Sequence, residues 1–520
     1  MAFLYKCPNI GNCDKANQGE SISIISNSPA KCPECSSNLI LISGANRNNK
    51  NKMIVVTSLL ILFLVCTAAF FFFNREKVTL ETSVPLALSI SIPSVMPLLE
   101  TQPLLRFHGS NTIGSELLPA LAIAFLQQEG YSNVHKEAGK KEDESLIVGD
   151  LNGHHEQIEI QAHGSSTAFT DLKDNLCDIG MSSRKIKSIE QETLFPILGN
   201  LTSNPGEHVI ALDGIALVVH PSNPIKTLSV KQLADIFSGK ITDWSKVGGM
   251  TGKIAVKARD NKSGTYDFFN ELVLKTHNTT LYSEAERFED SHKLSYSVNN
   301  DPMSIGFVGL NYVGSNKAIS ISDVGVGAKK PSLLTIKTED YLLSRRLYLY
   351  TAEHPSNPNV YKFIEFVMGL KAQQVVTSVG LVNLDVTPIV SDLSDSRNQS
   401  SKWKSLAKDA TEIATRFRFR VGSDELDSRA YRDIGRIVGV LSQPQYLNKK
   451  LILIGFADSS GTSVANLKLS QSRADIVKSE LAAEGLEFSH VEGLGAEAFV
   501  APNDTPENRE KNRRVEVFIK

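Results

Sequence analysis

Three stretches of this sequence place hydroxyl-bearing residues where a strand gives way to a helix. In LLRFHGSNTIGSELLPALAIAFL an apolar run ends at Gly109, Ser110 and Asn111, after which Leu118, Leu121, Ala122 and Phe125 recur on one helical face. HGSSTAFTDLKDNLCDIGMSSRKI sets Ser165, Ser166 and Thr167 before a second helix, then a strand ending in Met181, Ser182 and Ser183. KARDNKSGTYDFFNELV brings Arg259, then Ser263, Gly264 and Thr265, to a third helix with the apolar face Phe268, Phe269 and Leu272. A helix start leaves backbone N–H groups unpaired at the positive end of the dipole. Hydroxyls add neutral donors, and a guanidinium adds planar charged ones. Such a set suits a dehydrated oxyanion. Singly, each serine is an ordinary helix cap; the recurrence of the pattern carries the reading.

Nearer the C-terminus, Asp458 ends an apolar strand and Arg473 lies on the next helix, a spacing that favours an ordinary salt bridge and also allows the two to face a common ligand. Arg513 and Arg514 open the last strand. At the other end, Cys7, Cys13, Cys32 and Cys35 form two cysteine-bearing turns, CPNIGNC and KCPEC. Four thiolates can hold a tetrahedral zinc, and so short a segment needs a staple; two disulfides and free thiols are the open alternatives. His154, His155 and His163 lie near the second serine turn, but neither a nucleophile elbow nor an acid–base pair accompanies them. Binding rather than catalysis is expected.

The elements that must position these residues fall into blocks. The 520 residues are 41% hydrophobic with a formal net charge of -2, the composition of soluble globular domains and not of a chain that coats nucleic acid. Residues 53–73 carry no charge, and as a helix they reach roughly 31 Å, one bilayer core. Arg47, Lys50 and Lys52 precede that run without nearby acids, whereas Glu76 and Glu81 accompany Arg75 and Lys77 after it, a weak bias toward a cytoplasmic N-terminus. Residues 74–103 read as a proline-interrupted linker, 104–388 as an α/β domain, and 389–409 as a polar, serine-rich linker that turns helical near its end. In 410–520, RFRFRV predicts a strand buried on one face through Phe417, Phe419 and Val421. Helices through Ala430, Ile434, Ile437, Val438 and Leu441, and through Val477 and Leu481, complete a β-α-β-α-β-β order.

Taken in order, GSNTIGSELLPALAIAF, GSSTAFTDLKDNLCDIGMSSR, ALDGIALVVHPSNPIKTLSVKQLADIFSGKITDWSKVGG, ARDNKSGTYDFF and DPMSIGFVGLNYV resemble the periplasmic phosphate-binding proteins of the PstS family. The resemblance implies two α/β lobes joined by a hinge and closing on one inorganic phosphate. Its donors would be Thr112 and Ile113 in the first turn, Ser165 or Ser166 in the second, and Arg259, Ser263, Gly264 and Thr265 in the third. Where that family often has an aspartate to accept the proton of phosphate, this chain has Ser183, which does not repel a fully ionised oxyanion as a carboxylate would.

GFADSSGTSVANLKLSQSRADIV with NDTPENREKNRRVEVFI resembles the OmpA-like peptidoglycan-binding domain. That implies that Asp458 binds the ammonium of diaminopimelate and Arg473 its carboxylate, with Asn466 and Arg513 supporting the pocket. Ala457 stands where a threonine is usual. The cysteine segment, residues 1–40, resembles a small zinc ribbon. Both large modules are at home in a Gram-negative periplasm, so the expected arrangement is a cytoplasmic ribbon, one pass through the inner membrane, and a phosphate-binding domain and wall anchor outside. A phosphate transporter or a cytoplasmic partner of the ribbon would complete the list. The alternative is a structural tether between wall and membrane that binds another oxyanion or a protein.

Overall fold

The computed structural model describes residues 102–261, 263–390, 400–420 and 425–520, with three short backbone strands nearer the N-terminus. Those strands, β1 (Phe3–Lys6), β2 (Ser21–Ile24) and β3 (Ile40–Ser43), pair antiparallel in the order β2-β1-β3. Cys7, Cys13, Cys32 and Cys35 lie outside the described residues, as does the apolar run 53–73. Among the described residues no helix is long and apolar enough to cross a membrane.

The first large domain is built on one mixed sheet. β4 (Leu105–Gly109) leads to α1 (Leu118–Gln128); β5 (Ser132–Ala138), β6 (Glu144–Leu151) and β7 (His154–Gln161) form a meander; α2 (Ser165–Lys173) returns the chain to β8 (Ile179–Ser182). The long β9 (Glu207–Val219) then crosses into a second lobe. That lobe holds β10 (Thr227–Ser229), β11 (Ala255–Arg259), α3 (Gly264–Phe269), β12 (Glu286–Phe288) and β13 (Ser304–Gly309). After β14 (Lys317–Ala318), β15 (Ser320–Asp323) and β16 (Val326–Lys329), β17 (Ser344–Tyr350) crosses back. The main sheet of the described residues runs β12-β11-β13-β9-β17-β8-β4-β7-β6-β5.

β9 and β17 are therefore the strands that both lobes share. The first part of β9 pairs with β17 and the last part with β13, while β17 also pairs with β8. Every residue of β9 is buried, as the apolar run in EHVIALDGIALVV requires of a strand covered on both faces. Each lobe has its own aromatic cluster. Phe107 and Phe125 pack on Phe363 at 4.8 and 5.2 Å in the first, and Phe269 packs on Phe237 and Phe307 at 4.6 and 4.2 Å in the second. The expected two-lobed α/β architecture is present, carried by a continuous sheet.

The C-terminal domain has the strand order β18-β19-β22-β20-β21, from β18 (Pro388–Ile389), β19 (Thr411–Arg418), β20 (Leu451–Gly455), β21 (Phe488–Gly493) and β22 (Arg514–Ile519). Its helices α4 (Ser428–Leu441) and α5 (Ser463–Ala483) bury Ala430, Ile437, Val477 and Leu481 together with Phe417. Two features differ from the sequence reading. The last residue of the expected first domain, Pro388, and part of the expected linker belong to this domain: Pro388–Ile389 pairs with β19, and the helix Ser401–Ala407 sets Trp403 against Phe518 at 5.8 Å. Arg416 and Arg418, expected on a solvent face, are only 4% and 2% exposed, because carboxylates of the first domain cover them.

Candidate functional site

The first two hydroxyl turns are brought together by the ends of β4 and β8. Gly109 has φ +138°, and a Cβ there would sit 2.0 Å from the Met181 carbonyl oxygen, so this close approach needs glycine. Ser110 donates its N–H to that carbonyl at 2.9 Å, and the Gly164 N–H donates to the Gly109 oxygen at 2.7 Å. Ser165 Oγ accepts the Ser183 N–H at 3.0 Å and lies 3.1 Å from Ser183 Oγ. The second turn and the end of β8 thus form one hydroxyl pair.

The third turn packs on the first. A Cβ at Gly264 would lie 2.8 Å from both Cα and Oγ1 of Thr112, so the lobes meet main chain to main chain. Ser263 caps α3, its Oγ accepting the Tyr266 N–H at 3.4 Å. Wide π-helical turns follow at Ile113–Leu117 and Asn270–Leu274, one in each lobe beside the contact, a geometry frequent at functional sites.

Two cavities share Thr112. One, of about 320 Å3, is lined by Ser110, Ser165, Ser166, Ser183, Arg184 and Arg345 and by the carboxylates of Asp267 and Glu271. The other, of about 350 Å3, is lined by Arg259, Ser263, Gly264 and Thr265, with Glu116, Asp213, Asp260, Glu289 and Asp290. Both are at the small-ligand end of the usual range. Ile113 is buried behind them, its N–H donating to the Ser110 carbonyl at 3.2 Å. Arg259 is steadied by the loop after β12: it donates to the Phe288 and Glu289 carbonyls at 3.3 and 2.8 Å and to Ser291 Oγ. Arg184 pairs with Glu190 at 2.7 Å and reaches Ser166 Oγ at 3.3 Å.

The C-terminal residues converge at the end of β20. Asp458 pairs with Arg513 at 3.0 Å and accepts the Ser460 N–H at 2.7 Å. Burial pushes its pKa up, but the Ser460 hydrogen bonds and the Arg513 guanidinium outweigh that and hold it below the usual carboxylate range. Arg473 donates instead to the Phe456 carbonyl at 3.3 Å and stands over the Phe419 ring, so the Asp458–Arg473 bridge suggested by spacing gives way to Asp458–Arg513. Asn466 is buried on α5 nearby. Asn512, which spacing did not single out, accepts the Val500 and Ala501 N–H groups at 2.9 and 3.2 Å and fixes the preceding loop.

Residues 148–369 match the model described as a PBP superfamily domain, and residues 418–513 match that of the OmpA family. The phosphate-binding protein PstS of Borreliella burgdorferi is 26% identical over 247 residues, covering 46% of this chain and 85% of that protein. PstS of Pseudomonas aeruginosa is 30% identical over 249 residues, 44% of this chain and 74% of that protein. The chain belongs to the PstS family. Among solved structures, an ABC-type phosphate transport receptor from Vibrio cholerae aligns with a TM-score of 0.40 at 24% identity, covering 54% of this chain and 99% of that one.

Within the PstS-family domain, the sequence motifs missed Arg345 and Asp213, which face each other across the shared strands β17 and β9. Arg345 donates to Asp213 Oδ2 at 3.1 Å, to Thr112 Oγ1 at 2.9 Å and to the Gly264 carbonyl at 3.1 Å, joining the first and third turns. Burial lowers its pKa, with Asp213 opposing, and burial also raises that of Asp267, with Arg345 opposing. The signal that could have found Arg345 is a pair of arginines in the otherwise apolar strand SRRLYLY.

Proposed function

We propose that this chain is a wall-attached phosphate-binding protein of the periplasm, which captures inorganic phosphate between its lobes without making or breaking bonds. The observation that carries the reading is the meeting of the hydroxyl turns around Thr112, with Arg259 and Arg345 as the charged donors. The cavity walls also hold more carboxylates than guanidinium groups. They repel a fully ionised oxyanion, whereas a phosphate that still carries a proton can donate it to Asp213, Asp260 or Asp267. This acceptor set stands in for the aspartate absent at Ser183. The names of the PstS relatives from B. burgdorferi and P. aeruginosa support the same ligand. Calorimetric titration of the full chain with phosphate and with sulfate is the test. Strong heat from phosphate and little from sulfate is expected; heat from neither leaves a structural tether.

The OmpA-family domain would hold peptidoglycan through Asp458, Arg473, Asn466 and Arg513, a pocket with one acceptor and planar donors suited to a zwitterionic side chain. Asp458→Ala should release the protein from purified sacculi. The proposal extends to the N-terminal part: residues 53–73 span the inner membrane, and Cys7, Cys13, Cys32 and Cys35 hold zinc on its cytoplasmic side. The captured phosphate then serves uptake or sensing.

A further inference from the structure

The C-terminal domain grips both sides of the hinge. On the first lobe, Lys185 just after β8 binds Glu510 of the helix Pro506–Asn512 at 2.8 Å. On the other side, the segment returning from the second lobe into β17 supplies Glu339 and Asp340. Glu339 accepts from Arg429 at 2.6 Å, and Asp340 accepts from Arg416 at 2.8 Å. The shared strands are held directly as well: Arg346 of β17 pairs with Asp427 at 2.7 Å, and Glu207 of β9 accepts the Ser428 hydroxyl at 2.7 Å.

Neighbouring residues of a strand point to opposite faces. Arg346 therefore reaches the C-terminal domain, while Arg345 beside it reaches Thr112 and Gly264 in the anion cleft. Any rotation of one lobe against the other has to move Glu510 relative to Lys185 or Arg416 relative to Asp340, because one domain holds both. The seam is charged rather than apolar, and its groups are well hydrated when apart, so relative motion of the two domains is open to it. Several buried atoms in it, among them Arg346 Nη2, Asp340 Oδ1 and Arg416 Nε, have no hydrogen-bond partner among the described residues, a desolvation cost that an undocked state escapes.

We infer that the C-terminal domain is a clamp across the hinge, and that capture of the anion and docking of the wall-binding domain are linked. This rests on the phosphate-binding reading above. Linkage is reciprocal: whatever factor docking imposes on phosphate affinity, phosphate imposes on docking.

The test is the dissociation constant for inorganic phosphate, measured by calorimetry on the full chain as wild type, Glu510→Lys, and the charge swap Lys185→Glu with Glu510→Lys. Glu510 lines neither cavity, so an effect on phosphate must pass through the seam. Glu510→Lys should shift the constant by about fivefold or more, the lower end of coupling between sites, and the swap should bring it back toward wild type. Hydrogen exchange should show phosphate-dependent protection in residues 185–190 and 506–512. Wild-type affinity in Glu510→Lys, or a swap that restores the melting temperature without restoring affinity, overturns the clamp while leaving phosphate binding intact. If the wild type gives no phosphate heat, the binding reading falls, and the clamp loses its effector.

Discussion

The anion cleft and the seam beneath the C-terminal domain are both polar junctions between modules, and they handle charge in opposite ways. In the seam, Glu339 is buried among Arg346, Arg429 and Arg418; burial pushes its pKa up, but the three guanidinium groups outweigh this and hold it far below the usual range. In the cleft, the hydroxyls of Ser165, Ser183 and Ser263 are tied by neutral hydrogen bonds that a ligand can exchange at little net cost, and Thr112 accepts a charged one from Arg345. A buried charge, once paired, is expensive to strand, whereas a hydroxyl is not. A surface that must admit and release an anion therefore sets exchangeable hydroxyl donors among its charged groups, whereas a surface where two domains dock is held mainly by charge pairs.

The contrast is broken most directly at Glu339. Glu339→Ala leaves Arg346 and Arg429 buried beside the lost carboxylate and should cost about 3 to 5 kcal/mol of stability in a denaturant titration. Wild-type stability in that variant would mean that the seam is not closed in solution. In the cleft the corresponding change, Arg259→Ala, gives up hydrogen bonds to the loop after β12 but strands no buried charge, so it should cost less stability than Glu339→Ala while removing about 2 to 5 kcal/mol of phosphate affinity. An unaltered dissociation constant would move the site into the cavity lined by Ser165 and Arg345. Gly264→Ala sharpens the comparison sterically: its Cβ meets Thr112 at 2.8 Å, so the turns must part, at roughly 1 to 3 kcal/mol of affinity for the closed state.

The helix faces and hydroxyl turns were legible because local spacing decides them. Leu118, Leu121 and Phe125 recur at helical spacing and are buried, and Ser263 caps the helix its position announces. What was not legible depended on partners far along the chain. Alternation in RFRFRV shows that the faces of a strand differ, but Arg416 and Arg418 are buried because Asp340 and Glu339, from another domain, cover the second face. Which of Arg345 and Arg346 faces the cleft is set by the register of β17 against β9, where they lie opposite Asp213 and Leu212. Asp458 pairs with Arg513 rather than Arg473 because β22 lies beside β20 in the sheet, a neighbour that sequence distance hides.

The smallest effects expected are with pH, and the two junctions should respond with opposite signs. In the first lobe His108 of β4 is buried between Glu159 of β7 at 3.0 Å and Asp171 of α2 at 2.8 Å, tying the strand of the first turn to the helix of the second. Burial disfavours the imidazolium, but hydrogen bonds to the two carboxylates outweigh it, and the pKa is raised. A group whose folded value lies above its unfolded one, about 6.5, contributes stability that is complete below that pH and is lost as pH rises through the folded value. In the seam, Lys511 beside Arg418 has its amine pushed down to about 8 by burial and by that guanidinium. Its folded value lies below the unfolded one, so its penalty is complete below pH 8 and lifts as pH climbs toward about 10.4. Stability measured against His108→Asn should therefore fall on leaving pH 6.5 for alkaline conditions, whereas stability measured against Lys511→Met should rise between about pH 8 and 10. Parallel curves for His108→Asn and wild type would remove the imidazole from the framework of the cleft. Parallel curves for Lys511→Met would show that the amine stays hydrated, and so that the seam opens there.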